Sequence, residues 1–394
     1  MKVAIGQFGA PTTVLNASLY GVLETLRNRS AEILGIIGGV EGLLSGSFVD
    51  LSDSSSLSWL QSTPGAALRA GRYAGQNEVG RRAVSILAER KINGLIMMGG
   101  NGTMGLADEI QKAAEMQSYD LSIIGVPKTI DNDIVGIDFS PGFPSAAHFV
   151  IRAVRDLQID LEAMVGFEQV RVVEVMGRRC GWLAAATALL PHLEVSKKEP
   201  MTESSSTQTP IICLPEQEFD LNSLLKNIEQ RVKDDGQVLV VVSEGVRDVS
   251  GQMVLQAGEG NNSAKYMLGG IGALIAEKVR ESFGYGVRYE NLGLLQRCWN
   301  DSSLESDRRH AVQLGELGAR ALLEGRTGLM AGLLRADDGS NGFVETLLPL
   351  KDVAGKDRLM TNEELSLEEQ FVEWLLPLVE IDKIEQHPRL RMGK

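Results

Sequence analysis

Residues 127–133 read Pro-Lys-Thr-Ile-Asp-Asn-Asp. Within this heptapeptide stand a cation (Lys128), a hydroxyl (Thr129), two carboxylates (Asp131, Asp133) and a side-chain amide (Asn132). One carboxylate of such a set can take a proton from an alcohol while the other steadies a metal ion, and the ammonium can neutralise a migrating phosphoryl group. The segment follows the apolar run 121–126, which reads as a short buried strand. Strand ends are where open α/β sheets present their chemistry. A polar turn is the simpler alternative, because turns attract the same residue types.

Other stretches share the design of a strand end entering a helix. Gly99-Gly100-Asn101-Gly102-Thr103-Met104-Gly105 offers glycines whose backbone N–H groups can approach a phosphate, with the helix N-terminus adding a favourable field. Gly100, Gly102 and Gly105 also satisfy the dinucleotide spacing G-x-G-x-x-G, with Asp120 downstream. That fingerprint belongs on the first βα turn, and this is a later one. No Walker A loop is present. Gly9-Ala10-Pro11 forms a second candidate cradle, and Gly71-Arg72-Tyr73 supplies a cation before a helix. Met176-Gly177-Arg178, Ser243-Glu244-Gly245, Arg288 and the run Leu292–Arg297 with Leu294 and Arg297 complete the set. Each has an ordinary surface or turn reading when taken alone.

The elements that must position these residues alternate. Strands are expected at 2–7, 32–37, 94–98 and 121–126, with helices at 14–28, 78–90 and 103–116. A long helix at 145–164 leads into a second alternating series: strands at 170–175, 210–214 and 238–242, and helices from 181 and at 221–232. A loop is expected at 196–210, then a helix at 305–324 and strands near 329–334 and 343–347. This pattern predicts an α/β protein of two lobes, each with a mostly parallel sheet sandwiched by helices.

Composition narrows the class. The chain has 394 residues, 43% hydrophobic and 23% charged, which is ordinary for a globular protein. A net charge of −13 argues against nucleic-acid binding, so anionic small molecules need local basic clusters. Three cysteines, Cys180, Cys213 and Cys298, form neither a disulfide framework nor a zinc pattern. No apolar run approaches the ~20 residues that span a bilayer. Residues 1–6 read as a strand and not as a leader, so a cytoplasmic enzyme is expected.

Taken in order, the motifs resemble the phosphofructokinases. The resemblance rests on Gly9…Asn16-Ala17-Ser18, Gly71-Arg72-Tyr73, Gly99–Gly102, Pro127–Asp133, Pro141-Gly142-Phe143, Met176–Trp182, Ser243-Glu244-Gly245 and Asn291–Cys298. Thr-Ile-Asp-Asn-Asp together with Met-Gly-Arg is its most specific part. The Gly-Trp-Leu-Ala-Ala-Ala run and the later Leu-Gln-Arg-Cys most resemble the pyrophosphate-dependent branch. The resemblance implies transfer of a phosphoryl group from pyrophosphate or ATP to the 1-hydroxyl of fructose 6-phosphate. It implies Mg2+ as cofactor and a homodimer or homotetramer. Asp131 would be the base, with Lys128 and Thr129 beside the transferred group. Asp133 and Asn101 would organise the metal. Gly9, Arg72, Gly100, Gly102 and Thr103 would contact the donor. Met176, Gly177, Arg178, Glu244, Leu294 and Arg297 would line the sugar-phosphate site, with Arg288 lent across a subunit interface. The donor lobe would comprise 1–142 plus about 297–348, and the sugar lobe 143–296 plus about 349–394.

Departures from the family pattern matter as much. Asn101 is a weaker metal ligand than aspartate. Pyrophosphate users carry Asp at the position of Gly102, where its bulk and charge exclude a nucleotide, so Gly102 points to ATP while Lys128 points to pyrophosphate. Ala10 replaces a usual glycine. Leu294 replaces a hydrogen-bonding His or Tyr, and losing one such bond to a charged group costs roughly 1.5–3 kcal/mol. Three readings therefore compete: a 6-phosphofructokinase, a relative acting on another sugar phosphate, and a catalytically weak regulatory sugar-phosphate binder.

Overall fold

The computed structural model describes residues 1–27, 29, 32–53, 57–71, 78–193, 202–203, 209–255, 269–336, 342–385 and 389–390. The chain divides into two compact units, Met1–Ser145 with Arg297–Arg358, and Ala146–Gln296 with Leu359–Lys394.

The first unit is built on β1 (Lys2–Gln7), β2 (Glu32–Ile36), β3 (Phe48–Asp50), β4 (Gly94–Gly99) and β5 (Ser122–Pro127). Every residue of β4 is buried, as are five of the six in β1 and in β5. Such near-continuous apolar runs mark strands covered on both faces. The helices α1 (Leu15–Arg27), α2 (Gly39–Ser45), α3 (Val79–Glu89) and α4 (Asn101–Met116) follow these strands, and α5 (Phe143–Ala163) begins where the unit ends. Two further strands come later in the chain, after the second unit.

The second unit contains β6 (Val170–Val175), β7 (Thr202–Glu203), β8 (Ile211–Cys213), β9 (Val238–Ser243) and β10 (Val287–Asn291). Its helices are α6 (Trp182–Ala185), α7 (Leu221–Asp235), α8 (Ile271–Phe283) and α9 (Leu295–Cys298), the last crossing back into the first unit. Its main sheet has the order β10-β6-β9-β8, all parallel. Val170, Val172, Val240 and Val242 pack with Ile228 of α7 and Ile275 and Val279 of α8. Asp220 caps α7, accepting bonds from Asn222 N and Ser223 N at 3.1 Å each, which satisfies amides the helix itself leaves open.

The chain then adds α10 (Glu305–Leu323), β11 (Leu329–Arg335), β12 (Phe343–Pro349) and α11 (Leu350–Val353) to the first unit. Its sheet runs β12-β11-β5-β4-β1-β2-β3. The inner strands are parallel, and β3 and β12 pair antiparallel at the edges. One helical layer pairs α1 with α10, and another holds α3, α4 and α11. The first layer depends on glycine: a Cβ at Gly21 would lie 2.1 Å from Val312 O, and one at Gly315 would lie 2.2 Å from Ser18 O. The short strand β13 (Arg389–Leu390) pairs antiparallel with β7 in the second unit.

The α/β class with helix-flanked, mostly parallel sheets is thus observed. Differences are local. Helix α4 starts at Asn101, two residues before the expected start, because the Gly100 carbonyl already accepts from Thr103 N (2.8 Å) and Met104 N (3.2 Å). Helix α6 is a single turn that passes into a 3₁₀ segment, Ala186–His192, containing Pro191; proline cannot donate to a helical ladder. Strands β3 and β10 and helix α8 were not expected. Most of the loop anticipated at 196–210 lies outside the described residues.

Candidate active site

Strand β1 lies between β2 and β4, so the order of connection reverses there. Ligands of open α/β sheets bind at such a reversal, beyond the strand ends. The loops after β1, β4 and β5 carry the first-unit candidates.

Gly9 follows β1 with φ +74° and donates to Gly71 O at 3.2 Å. A Cβ there would approach Lys128 Nζ to 3.8 Å, so Lys128 stands against the cradle. Lys128 is 4% exposed and donates to Phe8 O (3.2 Å) and Ala10 O (2.5 Å). Main-chain carbonyls hold its ammonium in place. Beyond β4, Gly100 is the N-cap of α4, with no side chain satisfying the first-turn amides. Thr103 N already donates to Gly100 O, which leaves the Asn101 and Gly102 amides to face an anion. A Cβ on Gly100 would contact Lys128 O at 3.4 Å, whereas one on Gly102 would meet no atom within 4 Å. Thr103 is buried beneath this turn.

The heptapeptide after β5 is tied down at several points. Lys128 N donates to Gly99 O at 2.9 Å and Thr129 N to Pro141 O at 3.3 Å. Thr129 Oγ1 accepts from Asp131 N at 3.0 Å, and the same hydroxyl bonds the Asp133 carboxylate. Asn132 adopts φ +52°, and its Oδ1 accepts from Ser140 N at 3.0 Å. Asp131 remains partly exposed. Burial pushes the Asp133 carboxyl above its usual range; Thr129 and a backbone N–H oppose this, Asp357 reinforces it and Lys128 opposes it.

Asp357 is the residue that the sequence did not single out. Asn101 Nδ2 donates to Lys356 O at 2.7 Å and to Asp357 Oδ1 at 2.8 Å. This leaves Asn101 Oδ1 buried with no hydrogen-bond partner, and Asp133 Oδ1 is in the same condition. Magnesium takes oxygen ligands, keeps several waters and is commonly held by one or two carboxylates plus substrate phosphates. The orphaned oxygens of Asn101 and Asp133 fit that demand. No group of three or more His, Cys, Asp or Glu suited to a metal occurs among the described residues.

Asp307 supports the loop from α10. It is fully buried and accepts from Gly142 N (3.0 Å), Ser145 N (3.1 Å) and Ser145 Oγ (2.6 Å). Burial raises its carboxyl to about 6 against these bonds.

In the second unit, Met176, Gly177, Arg178 and Glu244 follow the ends of β6 and β9, Arg288 stands near the start of β10 and Leu294 follows its end, while Arg297 opens the returning part of the first unit. Met176 N donates to Gln296 Oε1 at 3.0 Å. Gly177 has φ +141°, and a Cβ there would fall 2.4 Å from Ser243 Oγ, which donates to Gly177 O at 2.7 Å. Only glycine fits. Arg178 is exposed. Glu244 is half-buried, its N–H bonded to Val175 O at 2.9 Å. Arg288, on β10, is 56% exposed and pairs with Glu168 at 3.2 Å. Leu294 is 59% exposed, and Arg297 lies in the single turn of α9. Glu174, on β6, is buried and accepts from Gly270 N, Gly272 N and Tyr289 Oη at 2.8–3.0 Å. It fixes the start of α8 against β6. Arg72 lies outside the described residues.

Residues 2–322 match the family model "Phosphofructokinase". The chain is 35% identical to a sulfofructose kinase from Alkalicoccus urumqiensis, over 98% of this chain and 97% of that one. It is 32% identical to a pyrophosphate–fructose 6-phosphate 1-phosphotransferase from Rhodospirillum rubrum, over 96% and 94%. Its structure resembles the crystal structure of a pyrophosphate-dependent phosphofructokinase from Marinobacter aquaeolei, with a TM-score of 0.80 and 26% identity over 96% and 92% of the two chains. The glycine turns, the buried lysine and the carboxylates after β5 thus stand on a chain that belongs to the phosphofructokinase family and is a phosphotransferase of that family.

Proposed function

We propose that this protein transfers a phosphoryl group from pyrophosphate or ATP to the 1-hydroxyl of fructose 6-phosphate. The observation that carries this is the cluster at the ends of β1, β4 and β5. A buried lysine, uncapped helix amides and two carboxylates meet there. Asp131 takes the proton of the sugar hydroxyl. Lys128 and the α4 amides balance charge on the moving phosphoryl group, and Thr129 fixes the positions of both aspartates. Phosphoryl transfer needs little more than this positioning and charge neutralisation. Asp133 and Asn101 hold Mg2+, which neutralises the donor phosphates when bound. Met176, Gly177, Arg178, Glu244, Arg288, Leu294 and Arg297 bind the sugar phosphate. Gly9, Arg72, Gly100, Gly102 and Thr103 bind the donor. The open space at Gly102 supports admission of a nucleotide, while Lys128 supports pyrophosphate. The enzyme works in the cytoplasm as a homodimer or homotetramer. No helix among the described residues is long and apolar enough to cross a membrane.

A second reading concerns the sugar. Leu294 places an exposed apolar side chain where the family resemblance expects a hydrogen-bonding one. A relative at 35% identity is named a sulfofructose kinase. A sulfonate carries one negative charge where a phosphate ester carries nearly two at pH 7, so it requires fewer donors. One experiment tests both readings: kcat/KM with each donor on fructose 6-phosphate and on sulfofructose, for the wild type and Asp131→Ser. Turnover is expected in the wild type and its loss, by at least about 100-fold, in a variant that stays folded. Near-normal turnover in Asp131→Ser sinks the assignment of the base. No turnover with any pair sinks the catalytic reading in favour of a regulatory binder.

A further inference from the structure

The amide of Asn101 is oriented by two acceptors contributed by one short segment, Lys356 O and Asp357 Oδ1. With Nδ2 committed to both, the remaining polar atom of this 9%-exposed side chain is Oδ1, which has no partner. Asp133 Oδ1 is likewise buried and unpartnered. A buried acceptor left unsatisfied costs about 1–3 kcal/mol. Two that share a carboxylate neighbour point to a cation-shaped need, since a bound donor group would add no charge balance. Asp133 brings one negative charge to this spot and Asn101 brings none.

The chain delivers Asp357 there by a defined route. Helix α11 follows β12 and packs on α4, with Leu350 and Met104 both beneath Gly125. Gly355 then turns the backbone at φ +71°. The next residues pair with the strand-end loop: Asp357 forms an antiparallel bridge with Ile134, and Arg358 N donates to Asp133 O at 2.9 Å. Asp133 and Asp357 are therefore carried by two hydrogen-bonded backbone segments, with Asn101 bonded to one of them.

We infer that Asp357 is the second carboxylate of the divalent-cation site, delivered from the segment after β12 to supply the charge that Asn101 lacks. The inference rests on the phosphoryl-transfer reading above. It goes beyond that reading by assigning a metal-binding carboxylate far from every motif. Two carboxylates and one amide oxygen form an oxygen set of the kind magnesium accepts together with phosphate and water.

The test is Mn2+ binding, followed by electron paramagnetic resonance and by Mn2+-dependent thermal stabilisation. It uses the full-length wild type, Asp357→Asn, and the exchanged pair Asn101→Asp with Asp357→Asn. Asp357→Asn should bind Mn2+ about 10- to 100-fold more weakly, with its metal-free melting temperature unchanged or raised. The exchanged pair keeps one carboxylate facing one amide and should recover most of the affinity. Unaltered Mn2+ affinity in Asp357→Asn overturns the inference, as does a wild type without saturable Mn2+ binding. Because no sugar or donor is present, loss of affinity in a protein that turns over no substrate sinks the functional reading and leaves this one standing.

Discussion

Gly102→Asp tests the donor argument most directly. Position 102 lies in the first turn of α4, and a Cβ there would meet no heavy atom within 4 Å. The position is exposed, and the Cβ of a new side chain there clashes with nothing. Replacing glycine in a helix gains roughly 0.5 kcal/mol of propensity, and a carboxylate at a helix N-terminus adds about 0.3–1 kcal/mol. The variant should be as stable as the wild type or slightly more so. Its effect on catalysis is unequal for the two donors. A carboxylate about 5 Å from the additional phosphate of a nucleotide repels it by about 3 kcal/mol at an effective dielectric constant near 20. Solvent at this exposed turn reduces that to about 1–3 kcal/mol, or roughly 5- to 150-fold. The ratio of kcat/KM for ATP to that for pyrophosphate, measured with saturating sugar and Mg2+, should fall by this factor. A variant that folds normally and keeps the wild-type ratio refutes the claim that position 102 governs the donor.

Two further outcomes follow. Lys128→Met removes the cation held by Phe8 O and Ala10 O. A lost unit charge close to the phosphoryl group costs about 3–4 kcal/mol in a low-dielectric site, so kcat should drop about 100- to 1,000-fold with both donors; a loss below about tenfold removes Lys128 from the mechanism. Asp307 has its folded-state carboxyl raised to about 6 from 3.8 by burial. The folded state then binds the proton more readily than the unfolded chain, so this group favours folding increasingly as pH falls below 6 and disfavours it above. Relative to Asp307→Asn, urea denaturation should show the wild type gaining about 2 kcal/mol between pH 7.5 and 4.5. A difference that does not change with pH means the carboxyl titrates normally.

Much of the fold was legible because its signals are local. The runs Gly94–Met98 and Val238–Val242, which became β4 and β9, are apolar without a break and therefore belong inside a parallel sheet. The amphipathic stretch that became α3 was recognisable by its period. What escaped was context-dependent. Strand β10 reads Val-Arg-Tyr-Glu-Asn, too polar to announce itself, and forms because its backbone pairs with β6 while Arg288 turns to Glu168. Asp307 sits in a charged helical stretch, Glu305–Arg309, whose pattern gives no sign that one member is fully buried.

The candidate site divides in the same way. Sequence by itself determined the heptapeptide, the two glycine cradles and the Met-Gly-Arg turn. In each, the candidate groups are neighbours along the chain, and a strand end suffices to bring them together. Tertiary structure alone decided that Asp357, 256 residues beyond Asn101, faces that residue's amide. The physical reason is packing. Burial of α11 against α4 and the turn at Gly355 fix where the following backbone runs, and no local pattern around Asp357 records that contact.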